Sequence, residues 1–337
     1  MRVVNIHGPN DVRIDEIPTP QIGPQDVLLK IDACGICGSD LTFSKLGFLR
    51  EGGEPWPLGH EAAGTVVAAG NQVEGIAPGL RAVINPMGAY DNIIGNGGSE
   101  GAFGDFLLVR NAKLHSHLLP LPEGMSAERA ALVEPLSVAL HGVNQGKIVA
   151  DDKVVVFGAG PIGLGAVFWL KRRGVKNIVS VDISEDRLRL ARELGATSTI
   201  NPMKVDFQAT LTELHGSSMP VLGKPTTGTD VYIDMAGSAV ALQSMLDAAR
   251  FQARIVITAV YPAPVSLDLQ TMLLKELSLQ MAVGYPTELS EVLSTLAEVS
   301  DKDILPYVTH RFSFDEFTQA MEAAKLPSSG KVMVMFD

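Results

Sequence analysis

One short run constrains this chain more than any other: VVVFGAGPIGLGAV, residues 154–167. A β-branched apolar run leads directly into Gly158, Gly160 and Gly163, spaced G-x-G-x-x-G with Pro161 and Ile162 before the last, and an apolar helix pattern follows. Gly158 permits a tight turn, Gly160 lets backbone approach a pyrophosphate, and Gly163 lets helix and strand pack closely. The helix N-terminus offers free N–H groups and the positive end of its dipole to phosphates. Nineteen residues after Gly163, the next strand ends in Asp182, placed to accept hydrogen bonds from an adenosine ribose. Local explanations compete: Asp182 also fits as a cap for the helix in SEDRLRLARELG, a place contested by Ser184. Arg187 reads either as a solvated helix residue or as a side chain packing on adenine.

Around this unit, strand and helix alternate from Asp151 onward: KVVVF, PIGLGAVFWLKRRG, NIVSVDIS, EDRLRLARELGA, TDVYIDMAG, SAVALQSMLDAARF and ARIVITAV. Such alternation implies a parallel sheet with helices on both faces. From Met1 to about Gly146 the pattern is different: short strands (VVNI, VRIDEI, DVLLKIDAC, EAAGTVVAAG, RAVINP, FGDFLLV) broken by Gly and Pro, which indicate a partly closed β-barrel or sandwich. One helical segment, SAERAALVEPLSVALHGV, interrupts it with Ser126 as N-cap. The tail, VTHRFSFDEFTQAMEAAKLPSSGKVMVMFD, reads as strand, helix, strand.

A chain of 337 residues, 46% of them apolar, has length for about two domains. Lys and Arg total 27 against 38 for Asp and Glu, a formal charge of −11, which disfavours nucleic acid and anionic membranes as partners. No stretch approaches the roughly 18 uninterrupted apolar residues of a membrane span, and no apolar signal core is read near the N-terminus, so a cytoplasmic location is expected.

The only two cysteines, Cys34 and Cys37, lie in ACGICGSDLTF, residues 33–43. Two cysteines make no disulfide framework, and a structural zinc clip needs two further thiolates or histidines at similar spacing. A redox couple should open a helix after a strand, whereas KIDACGICGSD reads as a strand running into a Gly-rich loop. A catalytic zinc needs fewer protein ligands, and His60, Glu61 and Glu134 supply candidates in PLGHEAAG and VEPLSVALH. Taken singly each residue also has an ordinary explanation: small core cysteines, a hydrogen-bonded turn histidine, solvated carboxylates.

The ordered motifs CGICGSD, GHEAAGTV, VEPLSVALH and VFGAGPIG followed by VDIS resemble the zinc-containing medium-chain alcohol dehydrogenase family, in particular its sorbitol dehydrogenase-like branch. The likeness runs through the tail to GKVMV. The resemblance implies an α/β protein with a GroES-like β-barrel catalytic domain from residues 1–147 and 285–337, and a doubly wound, parallel-sheet Rossmann domain from 148–284, the active site lying between them. It implies Cys37 and His60 as zinc ligands, Glu61 and Glu134 as oxygen donors directly or through water, Cys34 as a buried strand residue, and Asp40 orienting the His60 ring. His141 reads as a packed helix residue. Homodimers or homotetramers are expected.

The sequence departs from that family in four places. The usual four-cysteine lobe would fall within 87–106, where no cysteine occurs, so one catalytic zinc and no structural zinc is expected. Thr42 stands where many members carry a relay histidine, which shortens the proton path. MAVGYPTEL replaces the Arg-containing segment of polyol-specific members, and FQARIVI lacks their paired glycines.

The expected reaction is hydride transfer from a secondary alcohol, polyol or sugar-derived hydroxyl to NAD. Zinc acts as Lewis acid and Ser39 passes on the proton. Asp182 favours NAD over NADP, whose extra phosphate would meet a carboxylate. Phe43, Phe48 and Trp56 serve either as substrate walls or as ordinary packing. The rival readings are a zinc-free double-bond reductase of the same superfamily, which needs no ligand set, and a nucleotide-binding protein without turnover.

Overall fold

In the computed structural model, which describes residues 1–89 and 92–337, the N-terminal part carries β1 (Arg2–Gly8), β2 (Asp11–Glu16), β3 (Val27–Gly35), β4 (Trp56–Pro57), β5 (Glu61–Ala69), β6 (Arg81–Ile84), β7 (Phe106–Val109) and β8 (Leu118–Pro120). β4 and β8 are too short to show alternation, which is why the sequence pattern passes over them. The two undescribed residues, Tyr90 and Asp91, fall within the cysteine-free stretch 87–106.

The middle of the chain adds β9 (Lys153–Phe157), β10 (Asn177–Val181), β11 (Ser198–Ile200), a hairpin of β12 (Ser217–Val221) and β13 (Lys224–Thr227), then β14 (Val231–Asp234), β15 (Arg254–Ile257) and β16 (Ser278–Met281). The order β11-β10-β9-β14-β15-β16 is parallel throughout, and the chain reverses direction of travel between β9 and β14. Successive residues of β9 explain the layering: Val154 and Val156 enter one core, Val155 and Phe157 another. A strand apolar on both faces needs cover on both, and helices on either side provide it.

At the C-terminus, β17 (Val308–Ser313) pairs in parallel with β18 (Lys331–Met335), and β18 pairs antiparallel with β3, setting Met333 against Gly35 and Val334 against Cys34. Both chain ends thus share a seven-stranded sheet, β17-β18-β3-β5-β6-β8 with β7 on β3. One core crosses from this sheet to the parallel one: Ala33, Ala63 and Met333 belong to the same buried cluster as Leu136, Val154 and Tyr307. No described helix is long and apolar enough to cross a membrane.

Several local readings are corrected. The segment after Cys37 is a helix, Gly38–Leu46, with Cys37 at its N-cap. The Asp40 carboxylate accepts from the Cys37 N–H at 2.8 Å, the back-reaching half of a capping box, and offsets the glycine at the first helical position. The absence of a helix is therefore no argument against a redox pair. What speaks against one is placement: Cys34 is wholly buried on β3 among apolar residues, burial holds its thiol well above the ordinary pKa, and neither cysteine is bonded to the other. The helical segment after Ser126 breaks at Leu132 into Ala127–Ala131 and Val133–Gln145, with Ser126 accepting from the Arg129 N–H as expected of an N-cap. The β12–β13 hairpin went unread because its turn, Leu222-Gly223, puts a leucine at φ 53°, where Asn or Gly is the usual signal. Before β15, Gln252 adopts φ 60° at the place of the missing glycine pair.

Candidate metal centre and dinucleotide site

Three elements bring the metal donors together. β3 ends at Gly35 directly opposite Glu61 at the start of β5, and this register sets the Cys37 turn beside His60 and Glu61. Sγ of Cys37, a ring nitrogen of His60 and a carboxylate oxygen of Glu61 lie within 4.8 Å of one another. Glu134 comes from the first turn of the helix Val133–Gln145 and is 7% exposed. Burial lifts its pKa to about 7; His60 pulls it down and Glu61 adds to the rise. Burial alone would lower the His60 pKa, but the Cys37 sulfur and the Asp40 and Glu134 carboxylates carry it well above the ordinary value.

The pocket fits a zinc ion on its own chemistry. A thiolate, an imidazole and a carboxylate with a further carboxylate nearby are donor types that zinc takes, three from protein with one position open. His60 Nδ1, Asp40 Oδ1 and Ser39 Oγ are buried without hydrogen-bond partners. Each such atom costs about 1–3 kcal/mol, so the metal-free arrangement is one that a bound cation and its solvent would stabilise.

Asp40 does not reach the His60 ring as a hydrogen-bond partner: Oδ1 lies 3.8 Å from Nδ1, its other oxygen being held by the Cys37 N–H. Thr42 is exposed on the helix Gly38–Leu46 and donates back to the Gly38 carbonyl at 3.0 Å. Phe43, Phe48 and Trp56 form one cluster with ring centroids 5.6–5.8 Å apart; Phe43 and Trp56 join the core beneath and Phe48 is exposed. His141 is away from the metal donors, its Nδ1 at 2.9 Å from Glu288 Oε1, packed as expected.

Sequence reasoning missed three side chains here. Lys331 places its Nζ 2.6 Å from both oxygens of Glu61. Tyr285 and Tyr307 are buried with unpartnered hydroxyls; Tyr285 lies beside Glu134 without completing a hydrogen bond, and burial foremost holds both phenols well above their ordinary pKa. The available signal was a lone charge opening an otherwise apolar strand, KVMVM, and Tyr285 within MAVGYPTEL.

The second pocket, a cavity of about 640 Å³, lies at the carboxyl ends of β9, β10 and β14, lined by Gly158, Gly160, Asp182, Arg187, Met235 and Ser238 among others. Gly158 has φ 87°, and a Cβ on Gly163 would stand 1.8 Å from the Gly158 carbonyl oxygen. A Cβ on Gly160 would meet nothing within 4 Å, so the space above that backbone is open. Pro161, first in the helix Pro161–Arg172, has no N–H, which leaves those of Ile162 and Gly163 as first-turn donors. Asp182 does not cap the next helix; Ser184 does, accepting from the Arg187 N–H. Instead Asp182 accepts from the Ala159 N–H at 2.7 Å and the Ser184 N–H at 2.8 Å, bracing the glycine turn against β10. Arg187 donates to the carbonyls of Ser329 and Leu326, across to the C-terminal segment.

Known proteins match both halves. Residues 23–123 fit the family model of the alcohol dehydrogenase GroES-like domain and residues 161–298 that of the zinc-binding dehydrogenases. The chain is similar to sorbitol dehydrogenase of Rattus norvegicus, 33% identical over 98% of this chain and 95% of the relative. It is also similar to L-threonine 3-dehydrogenase of Aeromonas hydrophila, 30% identical over 98% of each. Among solved structures, 2R,3R-butanediol dehydrogenase from Bacillus subtilis superposes with a TM-score of 0.86 at 30% identity, covering 99% of both chains. The chain combines a GroES-like domain bearing a cysteine–histidine–glutamate cluster with a parallel nucleotide-binding sheet, and full-length likeness agrees: it belongs to the zinc-type medium-chain alcohol dehydrogenase family, as an oxidoreductase of the alcohol and polyol dehydrogenase kind.

Proposed function

We propose that this enzyme oxidises a secondary alcohol, polyol or sugar-derived hydroxyl with NAD, using a single catalytic zinc held by Cys37, His60 and Glu61 with Glu134 beside them. The carrying observation is the convergence of the Cys37, His60 and Glu61 donor atoms within 4.8 Å. When bound, zinc supplies Lewis acidity toward the substrate hydroxyl and the nicotinamide supplies the hydride acceptor. The chain's own part is placement: β3 and β5 aim the donors, and the core running between the two sheets excludes water from the reacting position. Ser39, whose buried hydroxyl has no protein partner, takes the proton-relay role, while the Thr42 hydroxyl donates to the Gly38 carbonyl. NAD in preference to NADP is supported by Asp182 at the adenosine end of the pocket.

Catalytic segments 1–147 and 285–337 flank a nucleotide-binding domain at 148–284 in this reading. Assembly of two or four chains is supported by the edge strand β16, which ends in exposed Met281, and by exposed Val283 and Val260. A cytoplasmic location accords with the two unpaired cysteines.

Native mass spectrometry of protein purified without chelator reads metal and subunit number together, and a panel of polyols, secondary alcohols and sugar acids reads NAD reduction. One zinc per chain, two or four chains, and turnover with at least one such alcohol are expected. Two zinc ions per chain, or full activity in metal-free enzyme, would defeat the reading.

A further inference from the structure

The side chain of Lys331 is 1% exposed, and its three ammonium donors are all engaged: 2.6 Å to each oxygen of Glu61 and 2.9 Å to the Ile36 carbonyl oxygen. Ile36 immediately precedes Cys37, and its own N–H donates to the Val332 carbonyl at 3.0 Å. Two successive residues of β18 therefore hold the turn that presents the thiol. Gly35 completes the cradle, since a Cβ there would land 2.2 Å from Oε2 of Glu61 and 3.2 Å from Cδ of Lys331. The lysine joins two donor-bearing segments, 35–37 and 60–61, that lie on different strands. Its hydrogen-bonding capacity is used entirely inside the pocket, leaving none for solvent or a cofactor phosphate.

Among the described residues Glu61 has one ion-pair partner, Lys331.

We propose that Lys331 is a positioning residue for the metal: it holds Glu61 and the Cys37 turn in the ligating arrangement before metal arrives. The inference rests on the zinc reading above. Replacing Lys331 removes the side chain that fixes both Glu61 oxygens and the Ile36 carbonyl, so neither the Glu61 carboxylate nor the Cys37 turn is held in the ligating arrangement.

The test compares the parent with K331M, E61Q and K331M/E61Q. Zinc affinity is measured by competition with a chromophoric chelator, and the ligand field by the visible spectrum of the cobalt-substituted protein. K331M should bind zinc roughly 10–100-fold more weakly, the loss typical of a residue supporting a ligand, and its cobalt spectrum should shift. Because Lys331 acts through Glu61, the double variant should lose little more than E61Q alone. Parent-like zinc affinity and cobalt spectrum in K331M, or losses that multiply independently in the double variant, would overturn the inference. If K331M fails to fold, recovery of folded protein in K331M/E61Q supports it, and a double variant that stays unfolded while E61Q folds overturns it. A parent protein that takes up no zinc defeats the metal reading itself, a result distinct from a parent that binds zinc and a K331M that binds it equally.

Discussion

At the dinucleotide pocket the glycine turn and its brace are near neighbours in the chain: Asp182 holds the N–H of Ala159, 23 residues away, within one strand–turn–helix–strand unit, although Met235 and Ser238 after β14 also line the pocket. At the metal pocket Lys331 holds Glu61 across 270 residues, and Glu134 arrives from a third segment. The first pocket is an open cavity lined by a glycine turn and apolar side chains; the second is buried and crowded with ionisable groups. A glycine turn within one unit depends on local geometry, which a few residues specify. A site built from buried charges depends on every segment that delivers one, because an unpaired charge in such a pocket costs several kcal/mol.

The contrast breaks most directly at Cys37. Cys37→Ser should strip zinc and lower turnover by more than the roughly 100-fold expected when only a supporting residue is lost, while NAD affinity, read by calorimetry, changes little. A parallel collapse of NAD binding would show that the two pockets are not separately built.

Asp182→Ala probes the other side. Hydrogen bonds to a carboxylate are each worth about 1.5–3 kcal/mol, so NAD should bind roughly 10–100-fold more weakly and discrimination against NADP should narrow, with zinc content unchanged. Part of that loss reflects the Ala159 turn that Asp182 braces. A parent enzyme already more efficient with NADP than with NAD would remove the assignment.

The smallest expected effect is a tilt in pH dependence that has opposite sign in the two halves of metal-free protein. Burial holds Glu134 up at about 7, so this carboxyl stays protonated in the fold while the unfolded chain has released its proton; its contribution falls as pH rises from about 4.5 to 7. In the nucleotide-binding half, burial and then Lys153 depress His215 to about 4, so unfolding takes up a proton and stability falls as pH drops from about 6.5 to 4. Each contribution is on the order of 3 kcal/mol, and over the shared span of about pH 4.5–6.5 they largely cancel in the parent. Urea midpoints across that span should therefore rise with pH in Glu134→Gln, where the His215 slope is left uncompensated, and fall with pH in His215→Asn, where the Glu134 slope is left. Profiles that shift in the same direction would contradict the assignment of the two groups.

Much was legible in the sequence because short-range patterns carry it. The G-x-G-x-x-G turn, the strands apolar on both faces and the Ser126 cap all depend on neighbours within a few residues, and each is where the pattern puts it. Four errors share a physical reason. The helix after Cys37 has a weak apolar stripe and starts with glycine, so only Asp40 reaching back to the Cys37 N–H marks its beginning. β4, β8 and the β12–β13 hairpin are short, and tertiary contacts rather than propensity hold them.

What the sequence determined by itself is the chemistry available: a dinucleotide turn with an acid at the next strand, and one thiol, one imidazole and two carboxylates in the order of a zinc-type dehydrogenase. Only the tertiary structure decided how those groups are held. It seated Glu61 against Gly35 and gave it to Lys331, left Asp40 short of His60, turned Thr42 outward, and brought the buried hydroxyls of Tyr285 and Tyr307 to the carboxylates. The reason is that donor type is a property of each residue, whereas an ion pair between Glu61 and Lys331 exists only after β18 has returned from the far end of the chain to pair with β3.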